Sequence, residues 1–211
     1  MPGNNDNPLR TYERIAPFYD LLDLPFEQVR YRSLRPLLFA ELNGRILDAG
    51  VGTGRNIPFY PTKAEVFGVD LSPAMLARAA RRTSKSAASV RLMPMDLTRL
   101  AFQDDFFDAA VASFVFCTMP AEARLAALRE LGRVVKPTAR IRLLEYAAAR
   151  SPFRRALARA WQPWVKWAFG ASLDGDVELE LSKAGLAVRN SRYVTGSIKL
   201  IEATPAQSGK A

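Results

Sequence analysis

The sequence predicts an α/β fold: a seven-stranded, mostly parallel sheet with helices on both faces, an antiparallel hairpin at its carboxy-terminal end and a helical segment ahead of it. Two observations carry this expectation. Between residues 45 and 147 short β-rich runs alternate with helical stretches, the order of strand, crossover helix and strand that builds parallel sheets. Near the end, "GLAVRNSRYVTGSIKLIEAT" (185–204) reads as two strands around Thr195-Gly196, close enough in sequence to pair antiparallel.

Taken in order, residues 1–8 are rich in Asn, Pro and Gly and read as a tail, as do 204–211. Two helices are expected at about 9–22 and 26–42, with no strand signal. "RILDA" is the first strand, followed by a helical stretch at 55–60. "AEVFGVD" is the second, and Ser72-Pro73 starts the helix 73–83, Ser by capping free amides and Pro by its preset φ. "SVRLMPMD" and "FFDAAVASF" are the third and fourth strands. The helix 121–135 keeps Leu125, Leu128, Leu131 and Val135 at helical period and stops at Pro137, ahead of "ARIRLLEYA". No internal repeat is evident. One domain over 1–211 is expected, divided into a helical lid (9–42), a ligand-binding core (43–147), a Trp-rich basic helical insert (148–185) and the hairpin (186–204).

Composition excludes much. With 211 residues, 49% of them hydrophobic, the chain can bury a core without metal or disulfide. Cys117 is the one cysteine and there is no histidine, so no internal disulfide, Cys/His zinc site or His-dependent triad is available. No apolar run of membrane-spanning length and no signal-peptide layout is present, and a cytoplasmic protein is expected. The net charge of +9 draws anionic partners without naming them.

The densest chemical signal is "RILDAGVGTGRNIPFY" (45–60). A glycine-rich turn between strand and helix lets backbone approach a ligand, with amides aimed at negative groups. Gly50 and Gly52 suit the dinucleotide fingerprint, but Arg55 stands at its third glycine, and no Gly-Lys-Ser/Thr follows for a phosphate loop. Asp70 ends the second strand twenty-two positions after Asp48, where a carboxylate can take two ribose hydroxyls.

The series Asp48-Ala-Gly50-Val-Gly52-Thr-Gly54, with Asp70 in "FGVDLSPAML" and Asp96 in "MDLTRLAF", resembles the class I S-adenosylmethionine-dependent methyltransferases over roughly residues 10–204. The resemblance implies a Rossmann-like sheet and S-adenosyl-L-methionine as cofactor, released as S-adenosyl-L-homocysteine. It assigns Asp48, Gly50, Gly52 and Gly54 to the methionine end, with Asn56 also among the cofactor-binding residues. Asp70 would take the ribose, Leu71 and Met75 the adenine faces, Asp96 and Leu97 its edge, and Ser113 would lie between the sulfonium and the acceptor. The chain departs from the family at Pro137-Thr138-Ala139, where Pro-Gly-Gly is usual, and at Glu145-Tyr146, where many relatives have Glu-His. A sulfonium already activates its methyl group, so alignment and exclusion of water carry most of the chemistry and a histidine base is dispensable.

Two segments bear on the acceptor. Tyr12, Phe18, Tyr19, Tyr31, Asp20 and Asp23 precede the core and could hold a sulfonium or an ammonium; Tyr19 is the first choice to face the reaction centre, as cofactor contact and catalytic group, against the reading that these rings only pack the helices. Between 146 and 173 there is no carboxylate, while Arg150, Arg154, Arg155, Arg159 and Lys166 interleave with Phe153, Trp161, Trp164, Trp167 and Phe169. Such a stretch, 150–169, suits an anionic membrane surface or lines a pocket for an apolar molecule, with Pro163 breaking any single straight helix. Nucleic acid is disfavoured, since no added RNA-binding domain or separate basic tail is present. The layout is similar to the ubiquinone/menaquinone C-methyltransferases, the bacterial phospholipid N-methyltransferases and the membrane-associated thiol S-methyltransferases. The expectation is methyl transfer to a small apolar or membrane-lodged acceptor, a lipid amine favoured over a quinone carbon or a thiol. An RNA methyltransferase, a non-catalytic cofactor-binding module and a dehydrogenase are the rival readings.

Overall fold

The computed structural model describes residues 31–147 and 177–206. Tyr19, the first predicted helix and the basic segment 150–169 lie outside the described residues.

The elements are α1 (Arg35–Phe39), β1 (Arg45–Ala49), β2 (Glu65–Asp70), α2 (Pro73–Ala80), β3 (Ser89–Pro94), β4 (Phe107–Ser113), α3 (Ala121–Val134), β5 (Val135–Tyr146), α4 (Val177–Lys183), β6 (Leu186–Thr195) and β7 (Ile198–Pro205). They form a seven-stranded sheet of order β3-β2-β1-β4-β5-β7-β6. The first five strands pair in parallel, and β7 enters antiparallel between β5 and β6. The mostly parallel sheet and its terminal hairpin, turned at Gly196-Ser197, are as the sequence predicts.

Strand alternation divides the core and positions the site. Leu47, Ala110 and Leu143 point to the face covered by α3 and α4, where Leu128, Leu131 and Leu181 are buried. Ile46, Val111 and Leu144 point to the opposite face, against Leu38, Ile57 and Ala79. Period two then puts Asp48, Ser113 and Tyr146 on the α1 side and Glu145 on the α3 side.

Four expectations shift. The predicted helix 26–42 is α-helical over Arg35–Phe39 among the described residues, because Pro36 has no N–H to give to a preceding turn and is tolerated only in the first. The stretch 55–60 is a 3-10 turn, Ile57–Phe59, with Pro58 inside it and Pro61 just beyond. The helix expected over 73–83 ends at Ala80, and Thr83–Lys85 forms a separate 3-10 turn. Lastly, α3 ends at Val134 and β5 begins at once, running through Pro137. The register jumps there from Phe107↔Val135 to Ala109↔Arg140, so Pro137 sits where the ladder asks no donor of it.

Polar anchors fasten the short helices. Ser72 caps α2, its Oγ accepting from Met75 N at 3.4 Å. Arg124 of α3 pairs with Glu180 of α4 at 2.6 Å. Arg142 of β5 pairs with Glu202 of β7 at 2.8 Å and donates to the carbonyls of Leu37, Leu38 and Ala40 at the end of α1. Arg142→Met is expected to cost about 2–3 kcal/mol, below the full cost of breaking a buried pair because the Glu202 side chain is 30% exposed. Urea unfolding of the two proteins measures it. Among the described residues no helix is long and apolar enough to cross a membrane.

Candidate active site

The carboxyl ends of β1, β2 and β4 converge on the glycine turn. Gly50, Gly52 and Gly54 all have positive φ, at 70°, 54° and 81°, a conformation open to glycine at little cost. Their surroundings differ. A Cβ on Gly50 would lie 2.5 Å from Val115 Cγ2 and one on Gly54 2.9 Å from Ala79 Cα, whereas on Gly52 the nearest atom is Gly50 O at 4.0 Å. Gly50 and Gly54 therefore let the β4 exit loop and α2 pack closely, whereas among the described residues Gly52 faces open space.

Asp70 closes one side. Its Oδ2 accepts from Gly52 N and its Oδ1 from Ser72 N, both at 2.9 Å. Burial pushes its carboxyl above the usual range, opposed by these amides. Leu71 beside it is half exposed, whereas Met75 is buried. The exit of β3 is tied to that of β2 by Met95 N donating to Asp70 O at 3.0 Å. This brings Asp96 to the same rim, where it accepts from Thr98 N and Oγ1 at 2.8 Å. Leu97 packs inward against the core.

Asp48 forms the floor. It is fully buried, accepts from Asn56 Nδ2 at 3.1 Å on both oxygens and from the Tyr60 hydroxyl at 2.6 Å. Burial raises its pKa from 3.8 to about 6 against the pull of these donors and of Arg35. Asn56 Nδ2 also donates to Ser113 Oγ at 3.1 Å, and Asn56 Oδ1 accepts from Arg35 Nη1 at 2.6 Å. Asp48, Asn56 and Ser113 are thus in one hydrogen-bonded cluster. Arg35 and Tyr60 were not foreseen. Arg35 is one of many arginines, and its arrival depends on where α1 docks.

Beyond Ser113 the chain turns sharply at Phe114, whose φ is 57°. Its ring lies 4.8 Å from that of Tyr31 and 5.2 Å from that of Tyr146, and the Tyr31 and Tyr146 hydroxyls are hydrogen bonded. Glu145, on the other face of β5, accepts from Val115 N, Phe116 N and Cys117 N at 2.8, 2.9 and 3.2 Å and so shapes this loop. Cys117 is buried there, and burial together with the Glu145 carboxylate raises its thiol pKa. Among the described residues no cluster of His, Cys, Asp or Glu could hold a metal.

The fold and the glycine turn define an α/β protein that binds a nucleoside-bearing cofactor at the carboxyl ends of its central strands. Residues 46–138 match the family described as "Methyltransferase domain". The chain is 35% identical over 172 residues to a ubiquinone/menaquinone biosynthesis C-methyltransferase of Syntrophotalea carbinolica, covering 78% of this chain and 70% of that one. It is 33% identical over 159 residues to a phosphatidylethanolamine N-methyltransferase of Cereibacter sphaeroides, covering 71% and 75%. A SAM-dependent methyltransferase from Thermotoga maritima has the same fold, with a TM-score of 0.67, 22% identity and coverage of 94% and 100%. So does a methyltransferase of Haloferax volcanii solved with its Trm112 activator, with a TM-score of 0.70, 17% identity and coverage of 92% and 97%. The chain belongs to the class I S-adenosylmethionine-dependent methyltransferases. It is an enzyme whose methyl donor is S-adenosyl-L-methionine. The residues present fit that cofactor: Gly52 leaves room for close approach, Asp70 stands at the strand end and Leu71 offers exposed apolar surface.

Proposed function

We propose that the enzyme methylates a small apolar or membrane-lodged acceptor, with a lipid amine of the phosphatidylethanolamine type favoured and a quinone-precursor carbon second. The observation that carries this reading is the aromatic cluster of Tyr31, Phe114 and Tyr146 one residue beyond Ser113. The partly exposed Phe114 and Tyr146 offer an acceptor apolar ring surface and a phenolic oxygen with which amine and hydroxyl groups can hydrogen bond, and the buried Tyr31 backs them. The names of the two relatives, one acting in quinone biosynthesis and one on phosphatidylethanolamine, support it. The carboxylate-free, Trp-rich segment 150–169 supports contact of the single domain with an anionic membrane from the cytoplasmic side.

When bound, S-adenosylmethionine supplies a methyl group activated on sulfur. Asp48, with Gly50, Gly52, Gly54 and Asn56 around it, would hold the methionine end. Asp70 would accept from the ribose hydroxyls, Leu71 would cover the adenine with Met75 beneath, and Asp96 and Leu97 would meet its edge. Ser113 would face the acceptor, with Tyr19 assigned to the same centre. An amine must reach the site with its lone pair free, and in a chain without histidine its proton leaves through water, a tyrosine hydroxyl or the lipid phosphate.

The test supplies methyl-labelled S-adenosylmethionine with vesicles of phosphatidylethanolamine and phosphatidylglycerol, and separately with a demethylated quinone. Label in mono- or dimethylated phosphatidylethanolamine is the expected result. Label in the quinone alone would transfer the assignment to carbon methylation, and label in neither would overturn both.

A further inference from the structure

We infer that Arg35 is a positioning residue for cofactor binding: it locks the Asn56 side chain so that both Asn56 N–H groups face Asp48 and Ser113, and its charge keeps Asp48 ionised to meet the methionine ammonium. The inference rests on the reading that Asp48 holds that end of the cofactor.

The geometry leaves Asn56 one orientation. A guanidinium only donates and a carboxylate only accepts, so an amide between them must turn its oxygen to Arg35 and its nitrogen to Asp48. The contacts agree, at 2.6 Å from Arg35 Nη1 to Asn56 Oδ1 and 3.1 Å from Asn56 Nδ2 to each Asp48 oxygen. Arg35 Nη1 also reaches Ser113 Oγ at 3.3 Å, so one guanidinium organises both the floor and the acceptor-side residue. Arg35 is itself buried, delivered by α1, whose end is held by Arg142 of β5.

The charge matters because Asp48 lies in a costly place. Among the described residues, the groups that face it are Arg35 from α1, the Tyr60 hydroxyl and Asn56 from the segment after the glycine turn, and Asp70 from β2, which opposes its ionisation. Arg35 is the cation in this set. The guanidinium, one amide away from the carboxylate through Asn56, lowers the Asp48 pKa, so its removal moves the Asp48 midpoint upward from about 6, toward the neutral range.

The experiment is calorimetric titration with S-adenosylhomocysteine from pH 5.5 to 9, for wild type, Arg35→Gln and Arg35→Lys, with folding followed by circular dichroism. Because the ligand's own amine also titrates, the quantity read is the affinity of each variant divided by that of wild type at the same pH. Arg35→Gln keeps a donor and loses the charge. It is expected to bind about threefold to more than a hundredfold more weakly at pH 6.5 and to come within about twofold at pH 9. Arg35→Lys keeps the charge without the planar fork, so its ratio is expected to be reduced but nearly independent of pH. A pH-independent ratio for Arg35→Gln would overturn the inference, because direct contact with the cofactor or a purely structural role lowers affinity equally at every pH. If Arg35→Gln does not fold, Arg35→Met, which also removes the charge, is read in its place: the same recovery at high pH is expected, and a pH-independent ratio overturns the inference. A wild-type affinity that does not weaken below pH 6.5 would instead overturn the placement of Asp48 at the cofactor.

Discussion

Gly54→Ala is expected to lower stability by about 3–5 kcal/mol, while Gly52→Ala, two residues away on the same turn, costs about 1–2 kcal/mol and instead removes most of the cofactor affinity. Both residues have positive φ, so any L-residue there bears backbone strain of roughly 1–3 kcal/mol. The difference comes from the neighbours. At Gly54 the new Cβ meets Ile57 Cδ1 at 2.6 Å and the Ala79 backbone at 2.9 Å. The Ile57 side chain can give, but Ala79 Cα is fixed within α2, and pushing a packed helix aside adds about 1–3 kcal/mol. At Gly52 the Cβ enters space open among the described residues, 4.0 Å from their nearest atom, and space against a backbone amide is what a ligand needs to approach. Thermal unfolding should separate the two variants by several degrees, at about 2–4 °C per kcal/mol for a chain of this size. Titration with S-adenosylhomocysteine should rank them in the opposite sense at a temperature where both are folded. A Gly52→Ala variant that binds S-adenosylhomocysteine as tightly as wild type would mean that Gly52 does not border the cofactor.

How much could be read beforehand divides by range of interaction. Each strand from β1 to β5 was visible as a run of apolar and β-branched residues, and the hairpin declared itself through Thr195-Gly196 between two such runs, because these signals are local. The Ser72-Pro73 start of α2 was legible for the same reason. Prolines misled where their effect depends on the partner strand: Pro137 marks the end of a helix in isolation, but the register jump between β4 and β5 accommodates it inside a strand. The site follows the same rule. Asp48, Asp70 and the glycines lie in one stretch with informative spacing. Arg35, Tyr60 and Glu145 are ordinary residues until α1 docks on the sheet, the segment after the glycine turn folds back and β5 aligns with β4. Tyr146 was noticed only as a departure from Glu-His, yet it stands across from Tyr31 and Phe114, where the pattern of a single strand cannot place it.

Asp48→Asn is expected to abolish tight cofactor binding and, at pH 8, to make the protein more stable. Burial raises the Asp48 pKa from 3.8 to about 6, so the folded state holds this proton more tightly than the unfolded chain does. Stability therefore falls as pH rises through the interval from about 4 to 6 and stays reduced above it, the reverse of the behaviour of a carboxylate whose pKa is lowered by folding. Two pKa units correspond to about 3 kcal/mol. This figure already includes the attraction of Arg35, since the guanidinium is charged throughout. An asparagine escapes the charge penalty but must reorganise the contacts from Asn56 and Tyr60, at a cost of about 1 kcal/mol, leaving a gain of about 1–2 kcal/mol at pH 8. At pH 4.5 wild-type Asp48 is mostly protonated and the gain should vanish, so the difference between the two urea midpoints should close as the pH is lowered. In the proposed assignment the methionine ammonium of the cofactor is the charge this carboxylate meets, and losing a charged partner in a buried site costs far more than losing a neutral hydrogen bond. A variant that is destabilised at pH 8, or that still binds S-adenosylhomocysteine with wild-type affinity, would show that Asp48 supports the fold and does not serve the ligand. Stability gained where affinity is lost would identify an ionised group retained at a net cost for the cofactor it receives.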